Sequence, residues 1–353
     1  MEPMFEEIDG VLHAYAWGRP GGVAEVLGRD VSTEVAHEAE YWYSTDAVLL
    51  KILAAGETLS LQVHPGAELA EEGHAREEAL GIGLEAPHRS YKDRGAKTEL
   101  IMAVSERLEA LSGFRPAAEA RREMERLLAA SDDAAPESAA ALLAMLADDA
   151  AVGDAFLWLV SEAGRPLVDA LLPVVVSRSD DFPLQARIAA LYPGDAGVIA
   201  SLLLNHVVLR RGEVLAARTG EIHAYLHGTG IELMVLSDNV LRAGLTPKHV
   251  DLVELGRALN RAAAAPNIVA PVPLEGEAIE FVVPAVPAPI RLAVVRGATS
   301  LPLDRDALAL CLGGAFDLTA SGETIRIGRG DAVRISDADG LAIAGAGELV
   351  VAR

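Results

Sequence analysis

The chain has 353 residues, of which 51% are hydrophobic and 23% are charged, a composition typical of a globular protein with enough core for two or three domains. Its formal net charge is −22, so the protein should repel nucleic acid and anionic membranes, and a role in binding polyanions has little support. An anionic substrate would have to meet a local cluster of Lys and Arg side chains.

The start of the chain and its cysteine usage predict the compartment. Met1–Gly10 is acidic and lacks the basic segment and apolar core of a signal peptide. Cys311 is the single cysteine, which excludes an internal disulfide and fits a reducing environment. No uncharged apolar run approaches the roughly eighteen residues that span a bilayer. We therefore expect a cytoplasmic protein that binds neither nucleic acid nor membranes.

The first half of the chain predicts strands followed by helices. Short apolar runs broken by Gly, Pro and polar residues predict strands at Val48–Ala55, Thr58–His64 and Lys97–Val104. Residues 116–204 are rich in Ala, Leu, Glu and Arg with apolar residues at helical spacing, which indicates an insertion of several helices. Polar residues at Asp132-Asp133 predict a break between two of them.

The second half returns to strands. We predict strands at His206–Leu209, Glu221–Leu226 and Ile231–Leu236, a helix at Val250–Ala263 and a linker at Ala264–Pro273. Further strands are predicted at Ile279–Val283, Ile290–Val295, Leu308–Leu312, Thr324–Ile327, Ala332–Ile335 and Leu349–Ala352. Such runs with Gly-rich turns are typical of a small barrel or sandwich, so the fold should be mainly β with a helical insertion.

Two predicted strands carry polar side chains on one face. In Thr58–His64 the alternation places Ser60, Gln62 and His64 together. This face either lines a site or contacts water, and water is the more frequent case for a half-solvated strand. Lys97 and Glu99 likewise share a face, for which a solvated ion pair is the simpler interpretation.

A third group depends on a predicted hairpin. If loop residues 227–230 close Glu221–Leu226 onto Ile231–Leu236, pairing Leu226 with Ile231 puts Tyr225 opposite Glu232 and His223 opposite Met234. His, Tyr and Glu would then form one patch. The alternative for both His64 and His223 is an ordinary core histidine.

A basic loop follows the last of these strands. Ser237–Lys248 places Arg242 and Lys248 in a segment containing Gly and Pro. In so acidic a chain the two cations could bind an anion, because Arg holds phosphate bidentately and Lys acts as a point charge. Taken alone, two solvated charges are the simpler interpretation.

Together these segments resemble the type I phosphomannose isomerases. The matching motifs occur in the family's order from Tyr15 to about Leu255, whereas the C-terminal strands resemble its second β domain only loosely. The motifs are Tyr15-Ala16-Trp17-Gly18, Leu61-Gln62-Val63-His64-Pro65, Tyr91-Lys92-Asp93, Lys97-Thr98-Glu99, Gly113-Phe114-Arg115-Pro116, His223-Ala224-Tyr225-Leu226 and Ser237–Lys248.

The resemblance implies a zinc-dependent cupin enzyme. Its β-barrel, or jelly-roll, catalytic domain would comprise residues 1–115 and 205–263, with a helical insertion domain at 116–204 and a C-terminal cupin-like β domain at 264–353. One Zn²⁺ per chain would be bound by the ligands Gln62, His64, Glu99 and His223. Mixed nitrogen and oxygen ligation suits zinc, although a neutral amide ligand is unusual.

The resemblance further implies the interconversion of mannose 6-phosphate and fructose 6-phosphate by proton transfer through a cis-enediol, with zinc as Lewis acid. Glu232, Lys97 and Tyr225 are the unranked candidates for the base. Arg242 resembles the family's essential arginine, placed to stabilise negative charge or to hold the phosphate. Ser60, Lys51 and Lys248 are weaker candidates for phosphate contacts. We expect a monomer whose partner is a small sugar phosphate.

The chain departs from the family's pattern near the expected site. Gly95-Ala96-Lys97-Thr98-Glu99 stands where the family usually has Asn-His-Lys-Pro-Glu, Ile222 replaces a frequent Pro, and Asp46 lies near the position of an expected His. These changes spare the four ligands but bear on the shape of the substrate pocket.

Three alternatives remain open: a non-catalytic cupin that binds a sugar or a metal, an isomerase of a related sugar, and an iron-dependent cupin oxygenase. Iron oxygenase sites favour several His with one carboxylate, whereas Gln62 occupies a ligand position here.

Overall fold

The computed structural model describes residues 4–31, 37–131 and 137–353, and its strands form two antiparallel sheets. The strands up to the helical segment are β1 (Phe5–Ile8), β2 (Val11–His13), β3 (Glu40–Ser44), β4 (Val48–Ala55), β5 (Leu61–Val63), β6 (Glu99–Ala103) and β7 (Arg107–Phe114). Those that follow are β8 (Leu204–Arg210), β9 (Val214–Ala217), β10 (His223–Val235), β11 (Leu241–Gly244), β12 (Ile268–Val269) and β13 (Val272–Pro273). The remaining strands are β14 (Ala278–Val283), β15 (Ile290–Val295), β16 (Thr299–Pro302), β17 (Ala307–Ala320), β18 (Glu323–Gly328), β19 (Ala332–Ile335) and β20 (Gly340–Ala352).

The helices concentrate between β7 and β8. They are α1 (Gly22–Leu27), α2 (Ala67–Ala79), α3 (Ala117–Ala129), α4 (Glu137–Met145), α5 (Val152–Leu159), α6 (Arg165–Ser177), α7 (Pro183–Leu191), α8 (Gly197–Ala200) and α9 (Leu252–Ala258), with 3₁₀ turns at Asp149–Ala151 and Ser201–Leu203. The mainly β fold with a helical insertion is therefore confirmed. The break predicted at Asp132-Asp133 lies outside the described residues. Within the described part of the chain, no helix is long and apolar enough to cross a membrane.

Strand β10 organises the first sheet. Its C-terminal half lies between β4 and β6, and its N-terminal half pairs with β5 and β7. The change of partners coincides with a register shift between Tyr225 and His227 and with Gly228 at φ +119°. A Cβ on Gly228 would lie 2.5 Å from the carbonyl oxygen of Arg107. Glycine therefore permits both the bend and the close approach of the two strands.

The predicted hairpin in this segment is wrong. Residues 227–230 continue β10 as one strand of 13 residues, and Glu232 lies opposite Lys51 of β4 rather than opposite Tyr225. Glycines such as Gly228 and Gly230 serve equally in a turn and in a bent strand. Pairing with β4 and β6 on both edges favours the continuous strand here.

The second sheet contains both ends of the described chain. Strand β1 pairs with β19, so residues 5–8 join the sheet formed otherwise by residues after 271, whereas β12 pairs with β9 of the first sheet. Apolar side chains from both sheets, including Leu50, Ile52, Leu292 and Leu310, form a shared buried core. This packing covers one face of β4, β6 and β10, and their other face carries both buried polar residues and a second apolar cluster.

The helical cluster packs against one end of the first sheet. Helix α3 buries Ala120, Met124 and Leu127 at helical spacing. The ring of Phe156 in α5 lies 5.6 Å from that of Phe114 in β7. Burial of one such ring stabilises the fold by about 2 kcal/mol.

Several predicted elements differ from the observed ones in extent. The strand predicted at Thr58–His64 is shortened to Leu61–Val63, and those predicted at Leu308–Leu312 and Leu349–Ala352 are parts of the longer β17 and β20. Helix α9 is shorter than the predicted 250–263 at both ends. Asp251 caps its start, its carboxylate accepting the N–H groups of Val253 and Glu254 at 3.0 Å, and the backbone turns extended at Leu259. The predicted linker 264–273 contains β12 and β13.

Candidate metal centre and active site

Strand pairing brings four predicted ligands together. Gln62 of β5 lies opposite His223 of β10, and its side-chain nitrogen is 3.2 Å from His223 Nε2. Glu99 starts β6, the strand next to β10, and its Oε1 is 3.0 Å from His223 Nε2. Its Oε2 is 3.3 Å from Nε2 of His64, which follows β5. His64, Glu99 and His223 are at most 1% exposed. Of the two alternatives for the polar face of Thr58–His64, lining a site is therefore the one observed at His64, while Ser60 and Gln62 are half-buried.

The hydrogen bonds of the two histidines determine which ring nitrogen faces the centre. His64 Nδ1 lies 2.8 Å from the carbonyl oxygen of Asn239, and His223 Nδ1 lies 3.0 Å from that of Glu221. Because a carbonyl oxygen only accepts, each Nδ1 carries the proton. Each Nε2 of a neutral ring then presents a lone pair to Glu99.

These lone pairs fit a cation. His64 Nε2 is buried without a hydrogen-bond partner among the described residues, and Glu99 Oε2, although 3.2 Å from Lys97 Nζ, accepts no hydrogen bond of ordinary geometry. One ligand atom from each of His64, Glu99 and His223 lies within 4.8 Å of the others. Two imidazoles and one carboxylate form a donor set that zinc favours, and a backbone carbonyl oriented against Nδ1 holds each ring, as is usual for histidines that bind zinc. Rotating the Gln62 amide by 180° would present its oxygen to the same point.

Charge within the centre favours the neutral ring of His64 and the ionised carboxylate of Glu99. At His223, by contrast, burial is outweighed by the Glu99 carboxylate, which raises the pKa, so a bound cation would have to displace a proton there. Burial and the Lys97 ammonium lower the pKa of His64 to about 4, so the ring is neutral at neutral pH. Burial opposes ionisation of Glu99, but Lys97 and His64 outweigh it and hold its pKa well below the usual value. Lys97 Nζ lies 3.2 Å from Glu99 Oε2 and is itself buried. The predicted solvated pair is therefore an interior ion pair.

A second buried pair lies beside the centre. Lys51 Nζ is 3.2 Å from Glu232 Oε2 and 3.9 Å from Glu40 Oε1, and it lies 4.6 Å from the centre of the Trp42 ring. Burial raises the pKa of Glu232, Lys51 opposes that shift, and the net direction is upward. A carboxyl group with a raised pKa beside an ammonium is suited to gaining and losing a proton.

Tyr225 joins the two groups. Its hydroxyl donates to Glu99 Oε1 at 3.3 Å. Burial, together with the carboxylates of Glu99 and Glu232, raises its pKa well above the ordinary value. The side chain is therefore a protonated donor at neutral pH. His223, Tyr225 and Glu232 do share one patch, through a continuous strand rather than a hairpin.

The predicted phosphate contacts lie at the edge of this region. Arg242 of β11 is the register partner of Gln62 and is half-buried, and burial lowers its pKa. Lys248 lies in the loop after β11 and is largely exposed. Partial burial of its ammonium group and the positive charges of Arg242 and Lys92 lower its pKa. Ser60 is half-buried just before β5. Lys92 is thus a third cation of this group that the sequence analysis did not assign to the site.

Comparison with known proteins places this geometry in a family. The catalytic domain of type I phosphomannose isomerase matches residues 43–117. Mannose-6-phosphate isomerase of Escherichia coli (strain K12) is 34% identical over 265 residues, which is 74% of this chain and 66% of the relative. The enzyme of Salmonella typhimurium is 36% identical over 211 residues, 59% of this chain and 52% of the relative. The chain belongs to the type I phosphomannose isomerase family.

Solved structures of the family extend the likeness over the whole fold. A mutant phosphomannose isomerase from Salmonella typhimurium superposes with a TM-score of 0.89 at 25% identity, covering 99% of each chain. A zinc-bound mannose 6-phosphate isomerase superposes with a TM-score of 0.87 at 25% identity and the same coverage. The sequence alignments are shorter and span two thirds or less of the length of these curated relatives.

The departure from the family's pattern at Gly95-Ala96 lies next to an open cleft. Gly95 donates its N–H to the side-chain Oδ1 of Asp93 at 2.7 Å, so the Asp93 carboxylate helps to hold this loop. Beside it lies a cleft of about 610 Å³ whose wall includes Gly95, Trp42 and His13. Because Gly95 has no side chain, its backbone forms this part of the cleft wall.

Asn239 is a site residue that the sequence analysis missed. Its side-chain nitrogen donates to Asp93 and to the carbonyl of Gly95, its side-chain oxygen accepts the N–H of Lys92, and its own carbonyl accepts from His64. It is fully buried. The side chain therefore connects the loop before Lys97 to the histidine at the metal centre. In the sequence, its position within the Ser237–Lys248 motif could have indicated that it belongs to the site.

We expect Asn239→Ala to lower the free energy of unfolding by about 3 kcal/mol, because several buried hydrogen-bonding groups lose their partner at once. Urea denaturation measures this effect. Asn260→Ala, which removes an exposed amide, is the control and should change stability by less than about 0.5 kcal/mol. Equal effects of the two substitutions would contradict the structural role of Asn239.

Proposed function

We propose that this protein is a zinc-dependent isomerase that interconverts mannose 6-phosphate and fructose 6-phosphate. The observation that carries the proposal is the buried cluster of potential metal ligands, His64, Glu99 and His223, next to the Lys51–Glu232 ion pair. Solved relatives with this fold are named mannose 6-phosphate isomerase, and one is described as zinc-bound. A metal-polarised oxygen beside a buried acid–base group is an arrangement that suits aldose–ketose isomerisation.

Gln62, His64, Glu99 and His223 would hold the zinc ion. When bound, zinc supplies Lewis-acid polarisation of the substrate's O1 and O2. The mixture of neutral ligands with one carboxylate leaves the site a net positive charge. That charge favours the enediolate over the neutral sugar.

We assign the proton transfer to Glu232. As a carboxylate it would remove the proton from C2 of the open-chain aldose while O1 gains a proton, which forms the cis-enediol. Delivery of a proton to C1 and loss of the O2 proton would complete the ketose. Burial raises the pKa of Glu232, so the carboxyl can both take and return a proton. Lys97 is ion-paired with Glu99, and Tyr225 is a protonated hydrogen-bond donor. Both are therefore better suited to stabilising negative charge on the substrate's oxygen atoms than to removing a proton from carbon.

Arg242 and Lys248 are proposed to hold the phosphate. Among the described residues no carboxylate pairs with Arg242, which leaves its guanidinium available to an anion. Lys92 adds a third positive charge close by. Lys51 is already engaged with two carboxylates, and Ser60 remains a weaker candidate.

The phosphate assignment predicts a split in steady-state kinetics. Lys248→Ala should raise KM for mannose 6-phosphate with little change in kcat, because it removes binding shared by ground and transition states. Arg242→Ala should also lower kcat if the guanidinium stabilises the enediolate. Unphosphorylated mannose should be a poor substrate of the wild type. Equal turnover of both sugars would instead indicate an isomerase of neutral sugars on the same fold.

The whole proposal is tested on the purified protein by metal analysis alongside a coupled assay with mannose 6-phosphate. About one zinc per chain with formation of fructose 6-phosphate is the expected result. Zinc binding without turnover would identify a non-catalytic cupin, and iron in place of zinc would favour an oxygenase.

The compartment, the oligomeric state and the domain boundaries are also part of the proposal. We propose a cytoplasmic monomer that acts on a free sugar phosphate and binds no nucleic acid. We further propose a catalytic domain of residues 1–115 and 205–263, a helical domain of 116–204 and a C-terminal domain of 264–353. The pairing of β1 with β19 would then join the first and last of these domains.

A further inference from the structure

A small basic cleft lies between the two sheets, and none of its lining residues belongs to the candidate active site. Its volume is about 100 Å³, and Arg19, Arg211, Arg329 and Thr229 line it. Arg19 precedes α1, Thr229 lies in β10 of the first sheet, and Arg329 follows β18 of the second.

The arginines outnumber their carboxylate partners. Arg19 pairs with Glu25 at 2.6 Å, and Arg211 pairs with Glu348 at 2.6 Å. Arg329 donates only to backbone carbonyl groups, those of Glu25 and Val26, and has no carboxylate partner among the residues that are described. One positive charge at this cleft is therefore unbalanced, in a chain whose net charge is −22.

Two buried polar atoms at the cleft lack partners. Thr229 is 1% exposed. Its Oγ1 and the Nε of Arg19 are buried without a hydrogen-bond partner in the described structure. Buried polar atoms are nearly always hydrogen-bonded. Two unpartnered atoms on residues that line one small cleft therefore indicate a missing hydrogen-bond acceptor.

The volume limits what that acceptor can be. The cleft has a volume of about 100 Å³, which is several times the roughly 10–15 Å³ of comparable volume that one water molecule needs. It therefore has room for one tetrahedral oxyanion. Arginine side chains and a hydroxyl group are typical donors to phosphate oxygens.

We propose that this cleft is a second anion site, which binds inorganic phosphate or the phosphate group of a monoester whose remainder stays in solvent. Arg19, Arg329 and Thr229 donate to it. Because Thr229 belongs to the first sheet and Arg329 follows a strand of the second, the bound anion connects the two sheets. Phosphate therefore stabilises the folded protein without occupying the substrate pocket.

The experiment separates this site from the candidate substrate site. Binding of inorganic phosphate is measured by calorimetry and phosphorus NMR at fixed ionic strength, in a chain that carries Arg242→Ala to weaken the substrate's phosphate site. One phosphate per chain is expected. Adding Arg329→Gln should weaken binding about tenfold or more, because it removes charge-assisted hydrogen bonds. Arg326→Gln, which removes a charge from an exposed Arg on β18 outside the cleft, is the matched control and should leave binding unchanged.

Thr229→Val provides a test that does not depend on charge. Thr58 also has a buried, unpartnered Oγ1, so Thr58→Val and Thr229→Val should both raise Tm in the absence of phosphate. Only Thr229→Val should lose the further rise in Tm that phosphate produces. Absence of phosphate binding in the Arg242→Ala chain, or binding unaffected by both Arg329→Gln and Thr229→Val, would overturn the proposal.

Binding of methyl phosphate distinguishes the two possible ligands, inorganic phosphate and the phosphate group of a monoester. Affinity equal to that of inorganic phosphate would identify monoesters as ligands, and rejection of methyl phosphate would restrict the site to the free anion. Either result supports an oxyanion site, provided that Arg329→Gln weakens the binding about tenfold or more.

Discussion

Replacing Glu232 with Gln should lower kcat for mannose 6-phosphate by roughly 10²–10⁴-fold, with a smaller change in KM. The substitution keeps the shape of the side chain and removes its ability to exchange a proton. Lys51 retains Glu40 as a partner at 3.9 Å, so the variant should fold. Steady-state kinetics in both reaction directions measures the effect, which should be similar in each because one group takes and returns the proton.

The pH dependence adds a second readout. The carboxylate form of Glu232 is the base, so kcat should rise with pH through the pKa of this group. Burial raises that pKa, and the acid limb should lie above the range of an ordinary Glu and disappear in the variant. Glu280→Gln is the matched control, since Glu280 is also buried and ion-paired but lies in the second sheet. An unchanged kcat in Glu232→Gln would transfer the role to Lys97 or another group.

Loss of either histidine at the centre should remove both zinc and activity. His64→Ala and His223→Ala each delete one neutral nitrogen ligand, and we expect the zinc content to fall from about one per chain to a small fraction. Metal analysis after dialysis measures this loss. Chelation of the wild type should abolish activity, and added divalent metal should restore it.

A thermal shift reports on the centre independently of catalysis. A ligand that binds only the folded protein raises Tm, so zinc should raise the Tm of the chelated wild type and have little effect on either variant. His227→Ala is the control, because His227 is an exposed histidine of the same strand. Full zinc content and activity in both His64→Ala and His223→Ala would refute the proposed metal centre.

The sequence alone determined much of the fold and most of the candidate site. Apolar periodicity identified β4 and β15 with their observed bounds and the whole helical segment, because local alternation reflects which face of an element is buried. The order of the motifs indicated the family and with it the residues now seen together. Spacing within one strand also placed Gln62 and His64 on a common face.

The structural features that local sequence patterns did not predict depend on contacts between distant segments. Whether residues 227–230 form a turn or continue β10 is decided by β4, β6 and β7 packing on both edges of the strand, since glycine permits both conformations. The burial of Lys97 and Glu99 arises in the same way. Alternation predicts a shared face but does not reveal whether another layer covers it.

The chemistry of individual atoms was decided by tertiary structure alone. The pairing of Lys51 with Glu232 follows from the register of β4 against β10, and no local pattern encodes that register. Asn239 acts at the site because its side chain reaches a loop some 146 residues earlier in the chain. The unpartnered lone pairs of His64 and Glu99, which indicate the metal, exist only where three strands converge in a buried place, because water would otherwise satisfy them.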